Sequence, residues 1–192
     1  MVVEPLPERG LILVSGPSRG GKSGWAEHLA RSWGGPVAYL ATGPAAGSDP
    51  SWDTRLDLHR KRRPEHWSVL EVGAQLSEQL ERLSAEPPQP APLLLIDSLG
   101  TWLAWHLDDD DSAWSSRCDQ LRRSLLAQPA PVLLVVEETG WGVVPATAVG
   151  GLFRDRLGAL QQVLMHHCHT AWLVVGGRAL NLMALAHPVP PS

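Results

Sequence analysis

The sequence predicts an α/β fold, a mainly parallel β-sheet flanked by helices. Three observations carry that reading. Short apolar runs recur along the chain, stretches with helical spacing separate them, and a glycine-rich turn joins the first run to the first helix. Near-continuous apolar strands read as covered on both faces, and strand–helix alternation implies parallel strands with right-handed crossovers.

The strands are expected at "LILVSG", "VAYLAT", "WSVLEV", "PLLLIDS", "VLLVVEE" and "AWLVVGG". Helices are expected at "SGWAEHLARSW", "AQLSEQLERLSA", "LGTWLAW" and "AWSSRCDQLRRSLLAQ". The proline-rich stretches "EPPQPAP" and "QPAP" lead into strands and are too short to act as linkers between domains. With 192 residues and no internal repeat, residues 1–192 are read as one domain. The tail at 187–192, "HPVPPS", is expected to fray.

Hydrophobic residues make up 44% and charged residues 19%, an ordinary globular balance. A net charge of −4 gives no electrostatic reason to expect a nucleic-acid partner. "MVVEPLPERG" lacks the basic and apolar regions of a signal peptide, and no apolar run reaches the ~20 residues of a membrane span. Cys118 and Cys168 form no CxxC pair, which suits a reducing compartment. A cytoplasmic protein is the expectation.

Gly16, Pro17, Ser18, Arg19, Gly20, Gly21, Lys22 and Ser23 fit G-x-x-x-x-G-K-[ST] between a strand and a helix. Glycines let backbone N–H groups curl around phosphate oxygens, and the helix points its positive end at them. Lys22 would reach the β- and γ-phosphates and the Ser23 hydroxyl would ligate Mg²⁺. The chain has only two lysines, Lys22 and Lys61, so a lysine here is not a product of composition. Asp97, after "LLLI", suits a second Mg²⁺ ligand at a strand end. Alone it would equally suit an N-cap for "LGTWLAW"; beside the phosphate loop the metal role is favoured.

In "DTRLDLHRKRRPEHW", read as a helix ended by Pro64, Arg55, His59 and Arg62 share a face, with Leu56 and Arg63 near its edges. Basic neighbours favour a neutral imidazole, whose lone pair can attack phosphorus. They would also neutralise a polyphosphate. By itself the stretch fits a solvated basic helix better.

These stretches, together with "VVEETGWGVVP" and "LFRDRLGALQQ", occur in one order over nearly the whole chain. They resemble the bifunctional adenosylcobinamide kinase / adenosylcobinamide-phosphate guanylyltransferase family. The combination of "HRKRRPEHW", "ETGWGVVP" and "FRD" is far more specific than the phosphate loop.

The resemblance implies a P-loop NTPase-like (RecA-like) domain, usually a homotrimer. It implies two reactions: ATP- or GTP-dependent phosphorylation of adenosylcobinamide, then GMP transfer from GTP to adenosylcobinamide phosphate. The family's nucleophilic histidine maps to His59, which with Lys22 makes the catalytic pair. The implied nucleotide-binding set is Gly16 through Ser23, Arg60, Arg63, Glu71 and Asp97. Glu138, Gly140, Gly142 and Pro145 match the family's "ETGWGVVP" motif. Three stretches depart from the usual pattern: "GSDPSWD" replaces an acidic pair and methionine, Glu137 an asparagine, and Gln161-Gln162 an asparagine–glutamine pair.

A family member retaining only guanylyltransferase activity is one alternative, and a regulator using the phosphate loop as a switch is another. "MHHCHTAW", read as helical, scatters His166, His167, Cys168 and His169 and makes a structural metal improbable. Asp108 to Asp111 read as a solvated helix start. Most of the nine tryptophans are expected in the core or an interface, with one or two available to cover guanine or corrin.

Overall fold

The computed structural model describes residues 5–45, 47, 63–142 and 146–189. His59, Arg60 and Pro145 lie outside the described residues, as does all but the end of the basic stretch around His59.

β1 (Gly10–Gly16) runs into the phosphate loop and α1 (Lys22–Arg31). β2 (Val37–Ala41) and β3 (Ser68–Glu71) follow, then a 3₁₀ turn (Gly73–Gln75) feeding α2 (Leu76–Ala85). β4 (Leu93–Asp97), α3 (Leu99–Ala104), α4 (Asp111–Leu126) and β5 (Pro131–Glu137) come next. α5 (Ala148–Met165), β6 (Cys168–Val175), β7 (Arg178–Asn181) and α6 (Leu182–Leu185) complete the order.

The strands form a seven-stranded sheet in the order β3-β2-β4-β5-β1-β6-β7. Every pairing is parallel except β6 with β7. All six expected strands are present. β7 is additional to them; it returns through Gly176 and Gly177, with φ of 57° and 72°. Two successive positive φ angles suit the tight turn that reverses a strand without splaying it.

Alternation along the strands divides the core into two halves, one on each face of the sheet. Ile12, Val14, Leu93, Leu95, Leu133 and Val135 pack with Ala26, Leu29 and Ala30 of α1. Leu11, Leu13, Leu94, Ile96, Leu134 and Val136 face Leu76 and Leu80 of α2, Trp102 and Leu103 of α3, Leu121 of α4 and Leu157 of α5. The near-continuous apolar strands therefore reflect burial on both sides.

Entry into the central strands is stiff. Pro36, Pro92 and Pro131 stand at the starts of β2, β4 and β5, where a fixed φ costs no ladder hydrogen bond. The opposite ends of these strands carry the polar side chains.

Two local readings change. Met165 ends α5, His166 caps it, and Cys168 already belongs to β6, so the histidine-rich stretch is a helix–strand junction rather than a helix. Among the described residues no three His, Cys, Asp or Glu side chains gather closely enough to hold a metal. The acidic run does begin a helix: the Asp110 side chain accepts from the Ala113 N–H at 2.8 Å.

Candidate nucleotide site

The phosphate loop is shaped by close packing. A Cβ on Gly16 would stand 2.2 Å from the Val174 carbonyl oxygen of β6, so only glycine allows β1 to approach its neighbour this closely. The Gly20 N–H donates to the Pro17 carbonyl at 3.1 Å, closing the turn. Lys22 is 4% exposed and its Nζ donates to the same Pro17 carbonyl at 3.3 Å. The ammonium thus lies folded over the loop. Ser23 is half-buried in the first turn of α1.

Lys22 opens onto a cavity at the C-terminal ends of the parallel strands. Ser18, Tyr39, Arg63, Glu71, Asp97 and Glu137 also line it. Sheet order explains this convergence, because β1, β5, β4, β2 and β3 are consecutive neighbours and all end on the same side. Of the sequence-predicted nucleotide residues, Ser18, Lys22, Arg63, Glu71 and Asp97 share the cavity wall. Gly16, Pro17, Arg19, Gly20, Gly21 and Ser23 build the adjoining turn and helix start.

Asp97 ends β4 and is not a helix cap. The residue at the N-cap of α3 is Ser98, whose N–H donates to Thr101 Oγ1 at 3.2 Å. The Tyr39 hydroxyl donates to Asp97 Oδ2 at 2.9 Å. Burial, reinforced by the Asp97 charge, raises the Tyr39 pKa, so the phenol remains a donor. The Arg63 guanidinium lies 3.8 Å from the centroid of the Tyr39 ring. One tyrosine therefore holds both a carboxylate and a guanidinium in place.

Thr42 fixes the start of α3 from the β2 side. Its Oγ1 accepts the Ser98 N–H at 2.7 Å and lies 2.5 Å from Thr101 Oγ1. Trp105, still 49% exposed, donates its indole N–H to the Thr42 carbonyl at 2.8 Å. Thr42 itself sits between Ala41 and Gly43 of the cavity lining. Trp102 and Trp67 are core residues, as expected for most tryptophans, while Trp141 is exposed.

In the sequence, Glu137 stands out only as a departure at the end of "VLLVVE". The structure places it in the cavity, with Ser98 Oγ donating to Oε1 and the Gly100 N–H donating to Oε2 at 2.8 Å. Burial raises its pKa and nearby Asp97 adds to this, against the hydrogen bond from Ser98, the Lys22 charge and the hydrogen bond from Gly100. The one available signal is position: Glu137 ends an apolar strand in the same manner as Asp97. Neighbouring Glu138 instead accepts from Gln161 Nε2 at 2.6 Å.

A buried lysine over a glycine turn, at the carboxyl ends of parallel strands beside an acidic residue, defines a P-loop nucleotide-binding protein of RecA-like fold. Solved structures share the architecture at low sequence identity. A KaiC-like protein of Pyrococcus horikoshii aligns with a TM-score of 0.50 at 15% identity, covering 88% of this chain and 72% of that one. The flagellar accessory protein FlaH of Methanocaldococcus jannaschii gives 0.52 at 14%, covering 95% and 83%.

Sequence comparison narrows the class. The CobU family, cobinamide kinase / cobinamide phosphate guanyltransferase, matches residues 12–182, and the chain belongs to that family. It is 37% identical over 174 residues to the bifunctional adenosylcobalamin biosynthesis protein CobP of Pseudomonas aeruginosa, covering 88% of this chain and 95% of the relative. It is 33% identical over 183 residues to the bifunctional protein CobU of Escherichia coli, covering 90% and 99%. The resemblance seen in the sequence motifs is thus borne out.

Proposed function

We propose that this protein phosphorylates adenosylcobinamide with ATP or GTP and then transfers GMP from GTP to the product, giving adenosylcobinamide-GDP and pyrophosphate. Membership of a family described by both activities supports the reading, as do the bifunctional names of relatives spanning nearly the whole chain. The observation that carries it is the convergence of Lys22, Asp97, Arg63 and Glu71 from separate stretches of the chain onto one cavity.

Lys22 and the phosphate-loop N–H groups bind the triphosphate, with the Lys22 ammonium leaving the Pro17 carbonyl for phosphate oxygens. The cavity wall holds Glu71, Asp97 and Glu137 against Lys22 and Arg63. This excess of carboxylates would repel a bare triphosphate, so a divalent cation accompanying the nucleotide fits the charge balance. Ser23 and Asp97 offer hard oxygen ligands of the kind Mg²⁺ takes alongside phosphates and water. When bound, the ion would neutralise charge on the phosphates.

In the second reaction the His59 imidazole attacks the α-phosphorus of GTP. A P–N bond forms, the bond to the bridging oxygen breaks, and pyrophosphate leaves with the electron pair. The corrinoid phosphate oxygen then attacks the same phosphorus and releases the imidazole. His59 precedes Arg63 by four residues in sequence, a tether of at most about 14 Å, and Arg60 and Arg63 supply charge for the departing pyrophosphate. We place the protein in the cytoplasm as a homotrimer. No described helix is long and apolar enough to cross a membrane.

The testing experiment incubates the protein with Mg²⁺ and GTP labelled at the α-phosphate, with His59→Ala in parallel. Acid-labile, base-stable label on the wild type alone is expected. Absence of label despite GTP binding would refute the guanylyl-histidine step. Adenosylcobinamide with ATP tests the kinase separately: failure there, with the label intact, leaves a guanylyltransferase.

A further inference from the structure

Tyr39 is the single tyrosine of the chain, and its place on β2 gives it two environments. Its ring belongs to the core half that holds Val37, Leu93 and Leu95, and the residue is only 3% exposed. It also forms part of the cavity wall beside Asp97. A phenol buried this deeply needs a partner for its O–H, and Asp97 Oδ2 accepts it at 2.9 Å.

Strand register accounts for the reach. β2 and β4 are parallel neighbours, with Tyr39 opposite Leu95 and Ala41 opposite Asp97. Side chains two residues apart share a face, so Asp97 projects on the same side of the sheet as Tyr39, one step nearer the strand ends. At about 3.3 Å per residue and about 4.8 Å between strands, the two Cα atoms stand about 8 Å apart. Tyrosine spans that diagonal, whereas the hydroxyl of a serine or threonine would fall short. The donor is carried by a ring packed in the core and stays in place. The carboxylate, on its short stem, would otherwise turn about its own bond.

The ring also carries the Arg63 guanidinium, 3.8 Å from its centroid. Cation and carboxylate use different parts of one side chain, the π face and the phenolic hydroxyl. Phenylalanine would keep the first and lose the second, so one substitution separates the two contributions.

We propose that Tyr39 is a positioning residue for the divalent cation that accompanies the nucleotide, acting through Asp97; this rests on the reading of Asp97 as a cation ligand given above. The hydroxyl sets the rotation of the carboxylate before the cation arrives. Ligating carboxylates are held by outer hydrogen bonds of this kind, and losing one weakens metal binding by about 10–100-fold. Tyr39 itself touches neither cation nor phosphate in this arrangement.

The test is isothermal titration of GTP into wild type, Tyr39→Phe, Asp97→Asn and the double variant, each with saturating Mg²⁺ and again in EDTA. The quantity read is the ratio of the two affinities, the enhancement that Mg²⁺ confers. Tyr39→Phe should lower this ratio about tenfold, while affinity in EDTA stays within threefold. A merely structural role would weaken both affinities together and leave the ratio unchanged. In the Asp97→Asn background the same substitution should change the ratio less than twofold, because the hydroxyl acts only through that carboxylate.

A ratio within twofold of wild type in Tyr39→Phe, with Asp97→Asn lowering it, overturns the proposal. A further tenfold fall in the double variant overturns it as well, by showing that Tyr39 acts elsewhere. No enhancement in the wild type, or none lost in Asp97→Asn, would instead overturn the cation-ligand reading beneath it.

Discussion

Arg156→Met should lower stability by about 3 kcal/mol. Arg156 is 7% exposed on α5, and its guanidinium donates to three main-chain carbonyls beyond the end of α3. These are His106 and Leu107, each at 3.2 Å, and Asp109 at 2.7 Å. It also lies 5.0 Å from the Trp114 ring centroid. Methionine preserves much of the apolar stem and removes every donor. A hydrogen bond to a charged group contributes about 1.5–3 kcal/mol, but water can reach the partly exposed carbonyls of Leu107 and Asp109. The buried bond to His106 therefore counts in full and the others only fractionally. For a chain of this size, 3 kcal/mol corresponds to a Tm lower by about 6–12 °C. Urea unfolding and calorimetry at pH 7.5 would measure the change. A loss below 1 kcal/mol would mean that the carbonyls find equivalent partners, refuting the idea that Arg156 pins this segment.

Gly16→Ala should impair nucleotide binding more than tenfold and lower Tm, because its Cβ meets the backbone oxygen of Val174, which has no rotamer through which to retreat. Isothermal titration with GTP and a thermal melt would reveal both effects; near-wild-type affinity would refute the close-packing argument. His106, 5% exposed and linked through Nε2–H to the Ala74 carbonyl, has its pKa lowered chiefly by burial and secondarily by Arg117, against opposing effects from the Ala74 hydrogen bond, Asp109 and Glu78. The unfolded state then binds the proton first, so its stability contribution is full above about pH 6.5 and is lost as pH falls through the lowered native pKa. Unfolding free energies measured from pH 8 to 5 should fall more steeply for wild type than for His106→Gln, and parallel curves would contradict this linkage.

The strands and phosphate loop are legible in the sequence because both obey local rules. Apolar runs announce buried strands, and G-x-x-x-x-G-K-S can be recognised without knowing its neighbours. Asp97 is legible as a carboxylate after an apolar run, although its choice between metal ligand and helix cap needs the backbone. Arg63 and Glu71 enter through family resemblance; the sheet then brings them to the cavity wall. Strand order is not legible, since β1 lies between β5 and β6 through pairings remote in sequence. Glu137 escapes for that reason, as its place in the cavity comes from adjacency to β1. Arg156 is equally hidden: one residue past "FRD", its spacing does not reveal that it faces three carbonyls. The histidine-rich stretch misleads because a run of four metal-capable residues hides the change from helix to strand within it.

The prolines at the strand entrances have a practical consequence. Pro92 brings the chain into β4 on the side opposite the cavity, after the loop at 86–92. An attachment point there lies a strand length from Asp97, about 17 Å for five residues. A fusion or surface tether through that loop should therefore present the nucleotide cavity outward. The native entrance becomes the handle by which an immobilised enzyme can be oriented.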